Sequence, residues 1–190
     1  TDAQATFYEP GVFEGTETIS FDQGAGFGLA GGILREGEYF FGGLEIEWLM
    51  HDAYLAEELP SEVFKDANNL KQMNFNLNAV FGATLLRRYL RPYLFGGFGY
   101  TEATLDGQYG LANTSRGDES WDSTFGYHVG AGMGLKVYEG FYLDAGYRYY
   151  GATDALFGSD AAWIEIPNSG SLVYVGLTYN HLFPPQEKKP

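Results

Sequence analysis

From Gln72 to Ala79 polar and apolar residues alternate without a break. Gln72, Asn74, Asn76 and Asn78 fall on one side, and Met73, Phe75, Leu77 and Ala79 on the other. A period of two is that of a β-strand, whose successive side chains leave opposite faces. A helix of 3.6 residues per turn would scatter these apolar residues around its axis. The same alternation recurs in "TFGYHVGAGMGLKV", where Phe125, Tyr127, Val129, Ala131, Met133, Leu135 and Val137 oppose Gly126, His128, Gly130, Gly132, Gly134 and Lys136. It recurs in "FYLDAGYRYY", where Phe141, Leu143, Ala145, Tyr147 and Tyr149 oppose Tyr142, Asp144, Gly146, Arg148 and Tyr150. "SLVYVGLTYNHLF" sets Val173, Val175, Leu177, Tyr179 and Phe183 against Tyr174, Gly176, Thr178 and Asn180.

Weaker alternation predicts strands over Gly24–Leu34, Glu38–Met50 and Arg91–Leu105, with a first strand within Thr6–Glu14 that Pro10 interrupts. Proline there removes a ladder donor. The eight predicted strands are joined alternately. Short turns lie near Arg35–Glu38, Arg87–Leu90 and Tyr138–Gly140, and longer polar loops near Gly15–Gln23, Asp52–Asn69, Asp106–Asp122 and Ala152–Ser169. With an even strand count, every short turn falls at the end that carries both termini. Strands of roughly 10–14 residues fit a tilted crossing of hydrocarbon about 25–30 Å thick, whereas strands of soluble sandwiches are nearer 5–6 residues.

The pattern admits two folds of opposite polarity. In a soluble up-and-down barrel the apolar face is the core and the polar face meets water. That would leave Gly126, Gly130, Gly132 and Gly134 in an exposed row, where glycine weakens a strand and packs nothing. In an eight-stranded membrane barrel the apolar face meets lipid, and small inward residues suit a lumen just wide enough for side chains to fill. Aromatic residues near the ends of the apolar faces (Phe40, Trp48, Tyr100, Phe125, Tyr127, Tyr147, Tyr149, Tyr179 and Phe183) read as interfacial girdles. The sequence therefore predicts an all-β, eight-stranded antiparallel up-and-down transmembrane β-barrel over residues 1–183, followed by a Pro- and charge-rich tail over 184–190.

With that polarity, Glu45, Glu47, Asn74, Asn76, Asn78, His128, Asp144 and Arg148 are expected to form a polar network in the lumen. Such carboxylates would cost several kcal/mol each if buried unpaired, so Arg148 is their natural partner. Composition agrees with this picture. Glycine (27 of 190 residues) and aromatics (17%) are abundant, and cysteine is absent, so no disulfide staples the fold. The mean hydropathy of −0.22 does not oppose a barrel, because lumen and loops are polar. No apolar run approaches the ~20 residues of a spanning helix. "TDAQATFYEP" lacks a basic-then-apolar leader, so an exported chain would be in its mature form. A formal charge of −14 argues against nucleic acid as a partner, since phosphate contacts need clustered Lys and Arg.

Taken in order, "GFGLAGG", "FFGGLEIEW", "NFNLNAVFG", "RPYLFGGFGY", "FGYHVGAGMGLKV", "FYLDAGYRYY" and "SLVYVGLTYNHLF" resemble the small eight-stranded outer-membrane barrels of the opacity-protein and OmpA-barrel group, from about Gly24 to Phe183. The resemblance implies a bacterial outer-membrane location with both termini in the periplasm. It also implies a final strand read by the barrel assembly machinery, a role for Leu177, Tyr179 and Phe183. Two departures stand out: His181 occupies a usually apolar position, and "PPQEKKP" follows Phe183. The tail resembles the start of a linker to a periplasmic domain. Members of the group serve as adhesins, anchors, resistance factors or lipid-modifying enzymes, so the fold does not fix the activity.

Candidate chemistry is sparse. A lipid-A-type enzyme would need His with Ser and a carboxylate at the outer rim. His51 beside Asp52 and His128 near Ser123 or Thr124 are the candidates, and neither carries a catalytic-serine signature. Asp118, Glu119 and Asp122 are hard oxygen donors without calcium-loop spacing, so neither a metal nor any other cofactor is expected. The acids of the long loops far outnumber Lys65, Lys71 and Arg116, while Arg35, Arg87, Arg88, Arg91 and Lys136 gather at the short turns. An acidic outer face beside anionic lipopolysaccharide repels it unless divalent cations bridge the two. The sequence thus favours a non-enzymatic barrel that displays acidic loops as a structural, anchoring or surface-interaction component. Its expected partners are outer-membrane lipid and lipopolysaccharide, the latter bridged by cations. A subunit of a larger envelope complex, contacting its partners through turns and tail, is the second reading. Eight strands with a filled lumen leave no conducting pore.

Overall fold

The computed structural model describes residues 2–9, 13–22, 24–55, 69–106, 120–159 and 162–179. Within them the chain forms eleven strands: β1 (Asp2–Glu9), β2 (Phe13–Asp22), β3 (Gly26–Glu36), β4 (Phe40–Leu55), β5 (Asn69–Ala83), β6 (Leu90–Asp106), β7 (Ser120–Tyr138), β8 (Phe141–Ala152), β9 (Ala155–Ser159), β10 (Ala162–Ile166) and β11 (Ser169–Tyr179). A single 3₁₀ turn, Leu86–Arg88, joins β5 to β6. All pairings are antiparallel, and β3, β4, β5, β6, β7, β8 and β11 follow one another as an up-and-down sheet.

The sheet is curled, with its polar face concave. β4 and β8 lie four strand positions apart, about 19 Å in a flat sheet. Yet Arg148 of β8 donates to Glu47 of β4 at 2.7 Å. Side chains alternate faithfully across the wall. On β5 the inward Gln72, Asn74, Asn76 and Asn78 are buried, while the outward Phe75, Leu77 and Phe81 are exposed. The outward belt continues through Ile46, Leu94, Phe98, Phe125, Val129, Leu143 and Val175, all more than 40% exposed. Exposure of large apolar side chains on this scale is the surface of a protein whose solvent is lipid.

At the loop end the polarity inverts. Inward positions become apolar (Leu70, Ala103 and Leu105, all buried), and outward ones become polar (Lys71, Glu102, Thr104). The remaining strands collect at this end. β1 and β2 form a hairpin, β1 pairs with β10, and β10 pairs with β9. Among the described residues, β2 pairs with the main sheet only at the loop end of β4, through Phe21↔Leu55 and Asp22↔Tyr54. Ala5, Ala155, Phe157, Ile164 and Ile166 are buried here, so the cap has an apolar cluster of its own.

Three expectations are corrected. The first strand, expected within Thr6–Glu14 as part of the wall, is instead split between β1 and β2 in the cap. β3 and β11 consequently have no second neighbour among the described residues. The stretches expected as loops at Gly15–Gln23 and Ala152–Ser169 contain β2, β9 and β10. Their Thr, Ile, Phe and Trp residues favour strands, although the acids and glycines between them give the whole stretch a loop-like composition. β7 begins at Ser120, inside the expected Asp106–Asp122 loop. Seven of the eight long strands stand where the alternation put them. The tail over 184–190 lies outside the described residues.

Candidate functional site

The concave face of the sheet holds a column of polar and charged side chains. Nearest the short turns, the guanidinium of Arg91 lies between the rings of Phe41 and Tyr142, 4.4 Å from each centroid. Arg91 also pairs with Glu36 at 3.0 Å, and Glu36 takes a second cation, Arg88, at 3.2 Å. Above this, Tyr93 and Tyr174 share a hydroxyl–hydroxyl bond of 3.0 Å. The glycines opposite make room for these rings. A Cβ at Gly132 would lie 2.5 Å from Tyr93, and one at Gly130 would collide with Phe95.

The centre of the column is Glu47. Both of its oxygens accept from Arg148, at 2.7 Å each. Oε2 also accepts from Asn76 at 3.3 Å and Asn78 at 3.4 Å, and Asn78 donates to Glu45 at 3.2 Å. The planar fork of Arg148 matches the carboxylate in bidentate geometry, and its face lies 4.9 Å from the centroid of Phe95. This charge pair is buried, with side chains 8% and 11% exposed.

Above the pair is a small chamber of about 10 Å³, the room that one water occupies. It is lined by His51, Asn74, Thr101, His128, Arg148 and Tyr150 among others. Thr101 donates to Asn74 at 2.7 Å, and His51 bonds the Tyr150 hydroxyl at 3.2 Å. Gln72 donates to Asn168 at 2.8 Å just below the cap. Asn74 Nδ2, His51 Nδ1 and His128 Nε2 are buried without a protein partner.

The eight residues named from the sequence divide into three groups. Glu45, Glu47, Asn76, Asn78 and Arg148 form one network. Asn74 and His128 line the chamber above it. Asp144 is buried on the same face nearer the turns, where its Oδ2 has no hydrogen-bond partner. His51 and Asp52 do not act together, because consecutive strand residues face opposite ways; His51 turns inward and is buried. Thr124 is buried inward in the same way, and Ser123 takes the opposite face. Leu177 and Tyr179 are exposed on the outward face of β11, while Phe183 and His181 lie outside the described residues. Sequence reasoning set Tyr142 and Tyr174 on the polar face but missed the inward aromatics Phe41, Tyr93 and Phe95, and with them Arg91. Their parity with Gly43, Gly97 and Gly99 was the signal that could have found them. No group of three or more His, Asp or Glu among the described residues has the geometry of a metal site.

A buried polar column on the concave face of an apolar, exposed wall is the organisation of a membrane barrel. The model of the outer membrane protein beta-barrel domain matches residues 3–180. The chain belongs to this outer-membrane β-barrel family. Among solved structures, the crystal structure of Neisserial surface protein A (NspA) is similar to this barrel at 16% identity and a TM-score of 0.45, covering 94% of this chain and 93% of that one. No curated protein matches it. Family membership makes the belt from Phe40 to Leu177 the lipid-facing surface of an integral outer-membrane protein, with the column from Arg91 to His128 on its concave face.

Proposed function

We propose that this barrel is a non-enzymatic, non-conducting component of the bacterial outer membrane, whose loop end is a fixed platform for surface interaction. One observation carries the reading: the lumen is stoppered at successive levels. Arg91 between two rings, the Glu47–Arg148 pair on Phe95, and the cap above Leu105 each set bonded or packed side chains across the concave face. A lumen built in this way stiffens a wall and holds what stands on it. The capping strands turn the loop end into a small folded platform, at the end of the wall where the acidic segments 56–68 and 107–119 join its strands. The short turns and both termini face the periplasm in this reading, with the assembly machinery acting on the strand that carries Leu177 and Tyr179. Cation-bridged contact with lipopolysaccharide is the partner chemistry that suits the acidic loops.

Two measurements test it. Reconstituted protein in a planar bilayer is expected to show no discrete conductance steps; steady opening in the wild type would refute a stoppered lumen. Lipid A extracted from cells carrying His51→Ala/His128→Ala is expected to match that of cells carrying the wild type. A changed lipid A profile would replace this reading with the enzymatic one.

A further inference from the structure

The turn between β5 and β6 has backbone geometry that its residues do not favour. Leu86 has φ 49° and Arg88 has φ 73°, both in the left-handed region that a bulky side chain rarely adopts. The turn is held there by Arg88 N donating to Leu85 O at 3.0 Å, Tyr89 N to Leu86 O at 3.2 Å, and Lys136 N to Tyr89 O at 2.8 Å. A glycine at position 86 would relieve the strain. The leucine instead stands 73% exposed, with Tyr89 beside it at 60%. Strain that persists at an exposed apolar side chain points to a contact outside the fold.

Three features say what that contact is. The turn lies at the margin of the lipid-facing belt, directly beyond Phe81 and Leu94. The charge at this margin is locally positive, because Glu36 is shared by Arg88 and Arg91 and one carboxylate thus meets two guanidiniums. Arg35 adds a third cation at this end, exposed on the outward face of β3 just past Ile33 and one residue before Glu36. Glu38 and Glu139 stand on the neighbouring turns and confine the excess to this sector. Tyrosine and arginine at the edge of an apolar belt are matched to the headgroup level of a bilayer.

We propose that the Leu85–Tyr89 turn together with Arg35 is a headgroup site for anionic phospholipid. Leu86 and Tyr89 enter the boundary between acyl chains and headgroups, while Arg35 and Arg88 face the phosphate. The site selects by charge and anchors the short-turn end of the barrel in its leaflet. It rests on the reading that this end borders a membrane surface, but not on which side of the membrane that surface lies.

The test is native mass spectrometry of the full chain released from nanodiscs containing equal phosphatidylglycerol and phosphatidylethanolamine. The wild type is expected to keep phosphatidylglycerol in preference, by about fivefold for each guanidinium engaged. Arg35→Gln/Arg88→Gln is expected to bring the two lipids to parity while keeping the gel mobility of the folded barrel. Leu86→Gly is expected to melt at the wild-type temperature or above in detergent and to retain fewer lipids. Equal retention of both lipids by the wild type, or an undiminished preference in the double variant, would overturn the site. So would a Leu86→Gly chain that melts lower yet keeps its lipids, since the leucine would then serve the fold. A stoichiometric protein partner lost from Arg35→Gln/Arg88→Gln, with no lipid preference in the wild type, would assign the turn to protein instead. Labelling of a single cysteine at position 38 on intact and permeabilised cells reads the orientation separately.

Discussion

Replacing Arg148 by methionine removes the cation at the centre of the lumen and leaves its partner behind. Two charge-assisted bonds of 2.7 Å disappear, along with the stacking of the guanidinium on Phe95 at 4.9 Å. Glu47 is left with only the long bonds from Asn76 and Asn78 at 3.3 and 3.4 Å. Its side chain is 11% exposed, so water cannot readily replace the lost partner. Breaking a buried pair from one side costs about 3–5 kcal/mol, because an uncompensated charge stays behind; the lost cation–π contact adds about 0.5–2 kcal/mol. The expected loss is therefore ~4 kcal/mol or more, close to a thousandfold in the ratio of folded to unfolded chains. Glu47→Gln alone should cost about 3–5 kcal/mol by the same logic, since it strands Arg148. The double variant Glu47→Gln/Arg148→Met removes both charges of the pair, and the new amide oxygen at position 47 still accepts from Asn76. It should recover to within about 1–2 kcal/mol of the wild type, because replacing both members of a buried pair is often close to neutral. Urea unfolding of vesicle-reconstituted protein, followed by tryptophan fluorescence, gives all four corners of the cycle. A single variant within about 1 kcal/mol of the wild type, or a double variant as unstable as the two singles summed, would refute the idea that this pair is what neutralises the lumen.

Other consequences follow from the same geometry. Gly132→Val should be destabilising by about 1–3 kcal/mol, because its Cβ would lie 2.5 Å from Tyr93; the urea midpoint reports it. Phe157→Ala removes a fully buried ring from the cap at about 3–5 kcal/mol. The loss should stay local, with faster protease cleavage between residues 155 and 166 and unchanged heat-dependent gel mobility of the barrel. Because the chain has no cysteine, single cysteines are clean reporters. One at position 118 should react with a membrane-impermeant maleimide on intact cells, and one at position 38 only after permeabilisation.

The alternation of β5, β7, β8 and β11 was legible because every second position in a membrane wall faces one solvent and the rest face another. A strand of that kind writes both environments into its sequence, and Asn74, Asn76 and Asn78 carry the lumen as plainly as Phe75 and Leu77 carry the lipid. The charge pair was legible for a related reason: an Arg and a Glu on inward faces have few other ways to be neutral. The inward aromatics were not legible, since a ring at Tyr93 or Phe95 reads as belt until the glycines facing it are known to be the space it fills. The cap was hidden for a third reason. Above the lipid the rule reverses, so Leu70 and Leu105 point inward as in a soluble protein, and short strands such as β9 and β10 have too few residues to establish a period. The same reversal explains why the first strand was misplaced: Thr6 to Glu14 has no run of alternation long enough to choose between wall and cap. Yet the wall constrains that choice. β3 and β11 both run from the loop end toward the short turns, and in hydrocarbon neither can leave a row of amides unpaired. Only a strand running the opposite way can pair antiparallel with both at once. Where it pairs with β4, β2 runs the same way as β3; β1, antiparallel to β2, has the required direction, and its eight residues extend to ~27 Å, close to the ~30 Å core. Slow hydrogen exchange along Gly26–Glu36 in a bilayer would show the seam to be covered, and rapid exchange there would show that the barrel does not close through this edge.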